Sequence, residues 1–127
     1  MLYLTDTYRS TQVVSSNPVG HIVLLYEGAI RHAANHLAAL ARGDLETAHH
    51  ASLRSQAIVS GLREVLDLSA GPIAEQLDLL YDFIIGRLMA GNIGKEPGPT
   101  KEAMTLLRDL LDAWRTIAAG VPVSARS

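Results

Sequence analysis

Apolar residues recur with helical spacing in four separate stretches of this chain, and glycine, proline or capping residues bound each stretch. Alanine and leucine, two strong helix formers, dominate these stretches, and at about 100° per residue their apolar positions share one face. Only 5% of the 127 residues are aromatic although 48% are hydrophobic, so the core must be aliphatic. The expected fold class is all-α: an antiparallel up-down four-helix bundle with an N-terminal arm.

Breaker residues place the four helices along the chain. Asn17 is expected to cap the first helix, with Pro18 in its first turn, and the longest breaker runs from Gly91 to Pro99. The first three helices are predicted over residues 18–42, 45–68 and 72–90, and the fourth follows the long breaker to about residue 119. The predicted organisation is an arm over residues 1–16, a four-helix bundle over 17–119 and a frayed tail over 120–127.

One face of each predicted helix supplies the core. These faces collect apolar residues that recur every three or four positions. The first helix contributes Ile22, Tyr26, Ala29, Ile30, Ala33, Leu37 and Leu40, and the second contributes Ala48, Ala51, Ile58, Val59, Leu62, Val65 and Leu66. The third helix contributes Ile73, Leu77, Leu80, Tyr81, Ile84 and Leu88, and the fourth contributes Ala103, Leu107, Leu110, Leu111, Trp114 and Ala118. A chain of this length can bury one shared core of this kind.

Charge and composition exclude several classes of function. The formal net charge is -2 and the isoelectric point about 6.2, whereas a nucleic-acid-binding domain usually has a basic face. The chain has no cysteine, which rules out disulfides and thiolate metal sites. Its start lacks the pattern of a secretory signal, and no stretch has the length of apolar sequence needed for membrane insertion. We therefore expect a cytosolic protein.

Two patterns suggest an alternative function, a metal-dependent helical-bundle enzyme. His32 and His36 are one turn apart, and Glu46 with His49 matches the Glu-x-x-His element of di-iron bundles. That chemistry needs the element twice, with further inward glutamates, and here it occurs once, on a polar face. We expect His32 and His36 to be a solvated pair, and we expect no catalytic residues, metal site or cofactor.

Apolar residues are left over once the core is assigned. Leu79, Phe83, Gly86 and Ala90 form a second stripe on helix three, roughly opposite its core stripe. Three residues of helix four also widen its apolar arc: Leu106, Leu110 and Ile117. Apolar helix faces of this kind commonly bind amphipathic helices. A partner polypeptide, a homodimer contact or the N-terminal arm, through Leu4 and Tyr8, could cover them.

Several segments in order resemble the flagellar export chaperone FliS family. Residues 25–30 read LYEGAI, similar to the family's LYDGAI, and residues 80–92 read LYDFIIGRLMAGN, similar to LYDYMxRRLxxAN. Residues 107–114, LRDLLDAW, resemble LLRELRDTW, and Tyr8 matches an N-terminal tyrosine of the family. The chain departs from the pattern at Asn17, Glu27, Gly86 and Gly91.

The resemblance implies a four-helix bundle that binds the disordered C-terminal segment of flagellin in the cytosol. Such a chaperone blocks premature polymerisation and delivers its client to the export gate of the flagellar type III export apparatus. Arg87 and Asn92 lie in the matching stretch and join the expected partner-binding residues, although Gly86 replaces a family arginine. The arm is expected to cover the free binding surface.

Overall fold

The computed structural model describes residues 18–120. Within this range the chain forms four long helices: α1 (Pro18–Ala41), α2 (Leu45–Glu64), α3 (Pro72–Gly94) and α4 (Pro97–Ala118). A short 3-10 helix, Leu68–Ala70, lies between α2 and α3, and residues 18–120 contain no strand. The predicted all-α four-helix fold is confirmed. The predicted arm, with Leu4 and Tyr8, and residues 121–127 of the predicted tail lie outside the described residues.

Each helix packs against two others, so α1 and α3 both lie between α2 and α4. The pairing of α1 with α2 is antiparallel, because the Ser55 hydroxyl donates to the Ala29 carbonyl at 2.8 Å and the His36 ring bonds the Ala48 carbonyl at 2.8 Å. Small buried residues on both helices bring their backbones close. No helix among the described residues is long and apolar enough to span a membrane.

Aromatic residues sit at one end of an otherwise aliphatic core. The Tyr26 and Tyr81 hydroxyls share a hydrogen bond and both rings are buried, while Trp114 lies 6.5 Å from the Tyr26 ring, centroid to centroid. Burial raises the pKa of both tyrosines. The phenols therefore stay neutral, and each satisfies the other in a site without water access.

The junction between α3 and α4 differs from the prediction. Helix α3 continues through Gly91 to Gly94, where Lys95 takes a left-handed conformation (φ 55°) that ends it. Helix α4 then begins at Pro97, not after the proline-rich segment. Gly91 is buried, and an added Cβ there would collide with Thr100 Oγ1. The glycine thus permits close packing of α4 on α3 and does not break the helix.

Three predicted core residues are exposed. Helix α2 ends at Glu64, four residues earlier than predicted, which leaves Val65 76% exposed in the following loop. Ile73 is 74% exposed near the start of α3, and Ala118 is exposed at the end of α4. All three lie at helix ends, where the neighbouring helices provide little cover. The other predicted core residues are buried or partly buried against the core.

Candidate partner-binding surface

Helix α3 carries an exposed apolar stripe on the side away from the core. We call this stripe, formed by Leu79, Phe83, Gly86 and Ala90, the α3 face. Leu79 is 70% exposed and Phe83 47% exposed, Gly86 is exposed, and Ala90 is half-buried. The core residues of the same helix point the opposite way, because they lie about half a helical turn away.

Two exposed residues that were not predicted extend the α3 face. Met89 and Ile93 are exposed on the same helix, near the end of the stripe. Ile93 was beyond the predicted end of helix three, so the helical wheel could not include it. The exposed apolar side chains are therefore grouped on one helix, whereas monomers normally expose such residues singly.

The predicted partner-binding residues of α4 lie in different settings. Leu106 and Leu110 are half-buried and pack against the core, whereas Ile117 is exposed. Leu106 and Leu110 therefore contribute to the core and present only part of their surface outward.

Arg87 and Asn92 already have partners within the chain. The Arg87 Nε donates to Glu102 Oε2 at 3.0 Å, which joins α3 to α4. The Asn92 Nδ2 donates to His49 Nδ1 at 2.9 Å, which joins α3 to α2. These contacts tie the middle and the C-terminal end of the matching family stretch to the neighbouring helices.

A charged cluster joins α3 to α2. The Arg63 guanidinium bonds Asp78 Oδ1 at 2.7 Å and Asp82 Oδ1 at 2.8 Å. The guanidinium hydrogen bond holds the pKa of Asp78 below its usual range. The Arg63 cluster links α3 to α2, and the Arg87–Glu102 pair links α3 to α4. The α3 face therefore has charged residues along both of its edges. The sequence alone did not indicate that Asp78 and Asp82 share Arg63, because the arginine lies on α2 and both aspartates lie on α3.

The residues behind the metal alternative do not converge. Glu46 and His49 are exposed, and His49 bonds Asn92. His36 is fully buried, and its Nδ1–H donates to the Ala48 carbonyl, so the prediction of a solvated pair is wrong for this residue. Among residues 18–120 no three His, Cys, Asp or Glu side chains form a group that could hold a metal ion.

Comparison with known proteins identifies the family. A family model described as "Flagellar protein FliS" matches residues 1–121. The chain belongs to the FliS family. In this chain the LYDFIIGRLMAGN stretch, residues 80–92, forms most of α3 and supplies both core residues and most of the α3 face. The resemblance to this family, which several sequence segments in order indicated, is confirmed.

Several curated members of the FliS family are similar over most of their length. The chain is 31% identical to the flagellar secretion chaperone FliSB of Pseudomonas aeruginosa, over 84% of this chain and 86% of that protein. It is also 31% identical to the flagellar secretion chaperone FliS of Salmonella typhimurium, over 84% and 80%. The corresponding protein of Campylobacter jejuni is 29% identical over 88% of each chain.

Proposed function

We propose that this protein is a cytosolic flagellar export chaperone that binds the disordered C-terminal segment of flagellin on the α3 face. Its membership of the FliS family supports the chaperone role, because the curated relatives are flagellar secretion chaperones. The observation that carries the proposal is the exposed apolar stripe on α3. A chaperone of this kind acts by binding and needs no catalytic residues.

The surface fits an amphipathic segment that folds on binding. A helix laid along α3 could bury its apolar residues against Leu79 and Phe83, while polar groups at its edges meet the charged pairs beside the stripe. Gly86 has no side chain, so a client backbone can approach α3 closely there. Ordering a disordered client opposes binding, which keeps the complex reversible for delivery to the export gate.

The direct test compares two exposed leucines. Leu79 is 70% exposed on α3, and Leu24 is 61% exposed on α1. Titration calorimetry should detect one flagellin C-terminal peptide bound per chain, with a negative heat-capacity change from apolar burial. Leu79→Asp should weaken binding strongly, because it puts a charge in the stripe. Leu24→Asp should bind as the parent does, and both variants should stay folded.

Two results would count against this function. If the peptide does not bind at micromolar concentration, the client is wrong. If both leucine variants bind like the parent, the client does not use the α3 face. Light scattering of the free protein tests whether it forms the homodimer that the sequence left open. If the dimer forms through the α3 face, Leu79→Asp and the flagellin peptide should each convert it to a monomer.

A further inference from the structure

A polar cleft lies between α1 and α2 and does not include the α3 face. Its volume is about 490 Å³. Six polar side chains line it: His32, Asn35, Arg42, Thr47, His50 and Arg54. No lining residue is an aspartate or glutamate, although the chain has more acidic than basic residues. The cleft therefore concentrates hydrogen-bond donors and positive charge on a protein whose net charge is negative.

The cations of this cleft are only partly neutralised by the described residues. Arg42 lies 3.6 Å from Asp44, with both side chains largely exposed. Arg54 has no ion pair with any residue in the range 18–120. The pKa of His32 is lowered by partial burial and by the charges of Arg31 and Arg54. An anion in the cleft would relieve this repulsion.

The size of the cleft indicates the kind of anion. Thr47 and Arg54 are seven residues apart on α2, which corresponds to about 10 Å along the helix axis. One carboxylate or phosphate accepts hydrogen bonds only within about 3 Å of its oxygens. A chain with several carboxylates can pair with donors along the whole of this length, whereas a single small anion would reach both ends only if the long Arg54 side chain folded back along the helix toward Thr47.

We infer that the α1–α2 cleft is a docking site for an acidic peptide segment of a second protein partner. The carboxylates of such a segment would meet Arg54 and His50 from one side and Arg42 and His32 from the other. Nucleic acid fits less well, because domains that bind a phosphate backbone are usually strongly basic, whereas this chain has an isoelectric point of about 6.2. This inference does not rest on the flagellin proposal, since the cleft and the α3 face share no residue.

The probe is a ten-residue peptide of alternating glutamate and serine, with a glutamine–serine peptide as its uncharged control. The full chain should bind the acidic peptide saturably at low salt. Because a bound anion favours the charged imidazole, the pKa of His32, followed by NMR, should rise on binding. Affinity should accordingly increase as the pH falls from about 8 to about 6, where histidine takes up its proton.

Two arginine variants make the matched comparison. Arg54→Gln should weaken acidic-peptide binding roughly threefold to tenfold, the range expected of a partly exposed charge-assisted contact. Arg108→Gln removes the same charge from an exposed position on α4 outside the cleft, and should change affinity less than about twofold. Circular dichroism checks that both variants keep the helical fold.

Four outcomes would overturn the inference. The acidic peptide could fail to bind, or the glutamine peptide could bind equally well. Equal losses in the two arginine variants would mean only general charge attraction. Inorganic phosphate could raise the His32 pKa and displace the peptide at low millimolar concentration, which would make the cleft a site for a single small anion and not for a peptide.

Discussion

Gly91→Ala tests the account of how α3 and α4 pack. An added Cβ would overlap Thr100 Oγ1 and lie 3.2 Å from both the Glu96 carbonyl oxygen and the Thr100 backbone nitrogen. Overpacking of this kind costs about 1–3 kcal/mol, and alanine in place of a helical glycine recovers roughly 0.5–1 kcal/mol. Since two of the three crowded atoms are backbone and cannot rotate away, we expect a net loss of about 1–2 kcal/mol.

Gly86→Ala is the matched control on the same helix. A Cβ at Gly86 would have no heavy atom within 4 Å, so this variant should gain about 0.5–1 kcal/mol from helix propensity alone. Urea unfolding followed by circular dichroism gives both free energies of unfolding. Adding Thr100→Ala to Gly91→Ala should recover part of the loss, since it removes the nearest crowded atom. A Gly91→Ala protein as stable as the Gly86→Ala protein would refute the proposed close contact.

Four further predictions concern stability and the arm. Tyr26→Phe alone should cost about 1–3 kcal/mol, because it leaves the buried Tyr81 hydroxyl unpaired, while the double variant Tyr26→Phe/Tyr81→Phe should be nearly neutral. Burial raises the pKa of both phenols, so above about pH 10 these tyrosines ionise only in the unfolded protein. Urea titrations should therefore show that the parent loses stability as the pH rises above about 10. The double variant should lack this loss. Arg63 lowers the pKa of Asp78, so the ionised Asp78 stabilises the folded protein at neutral pH, and this stability is lost as the pH falls through its folded-state pKa. Arg63→Ala should reduce this acid dependence in the same titrations. Deleting residues 1–11 should tighten flagellin-peptide binding modestly in calorimetry, and unchanged or weaker binding would mean that the arm is not a competing lid.

The number of helices and most of their inward faces could be predicted from sequence because the signals are local. Apolar spacing and breaker residues depend only on neighbours along the chain. Gly91 shows where this reasoning fails. Read alone, a glycine before a proline-rich segment indicates a helix end, and only the position of Thr100 on α4 reveals that it serves helix packing.

The buried state of His36 was likewise unpredictable from α1 alone. A polar residue at the edge of an apolar stripe is usually solvated. Here the small residues of α2 let that helix approach closely and cover the ring, and the Ala48 carbonyl supplies its hydrogen-bond partner. The predicted burial of Val65 and Ile73 was wrong for a different reason. A helical wheel shows which way a side chain points but not how far the neighbouring helices extend to cover it.

The α3 face could be predicted because its residues were apolar without a place in the core. Its flanking charges could not, since Arg63 meets Asp78 and Asp82 only through the pairing of α2 with α3. The cationic α1–α2 cleft was missed for the same reason. Its histidines and arginines lie on two helices, and neither helix alone presents a basic cluster.

Site-specific photo-crosslinking tests the central claim most directly. A benzophenone amino acid placed at Phe83, which is 47% exposed on the α3 face, should crosslink to the flagellin C-terminal segment in the one-to-one complex. The same group at Leu24 on α1 should give little product. Mass spectrometry then identifies the joined peptides. Strong crosslinking from Leu24 with none from Phe83, in a mixture where the peptide is bound, would contradict the proposed binding surface.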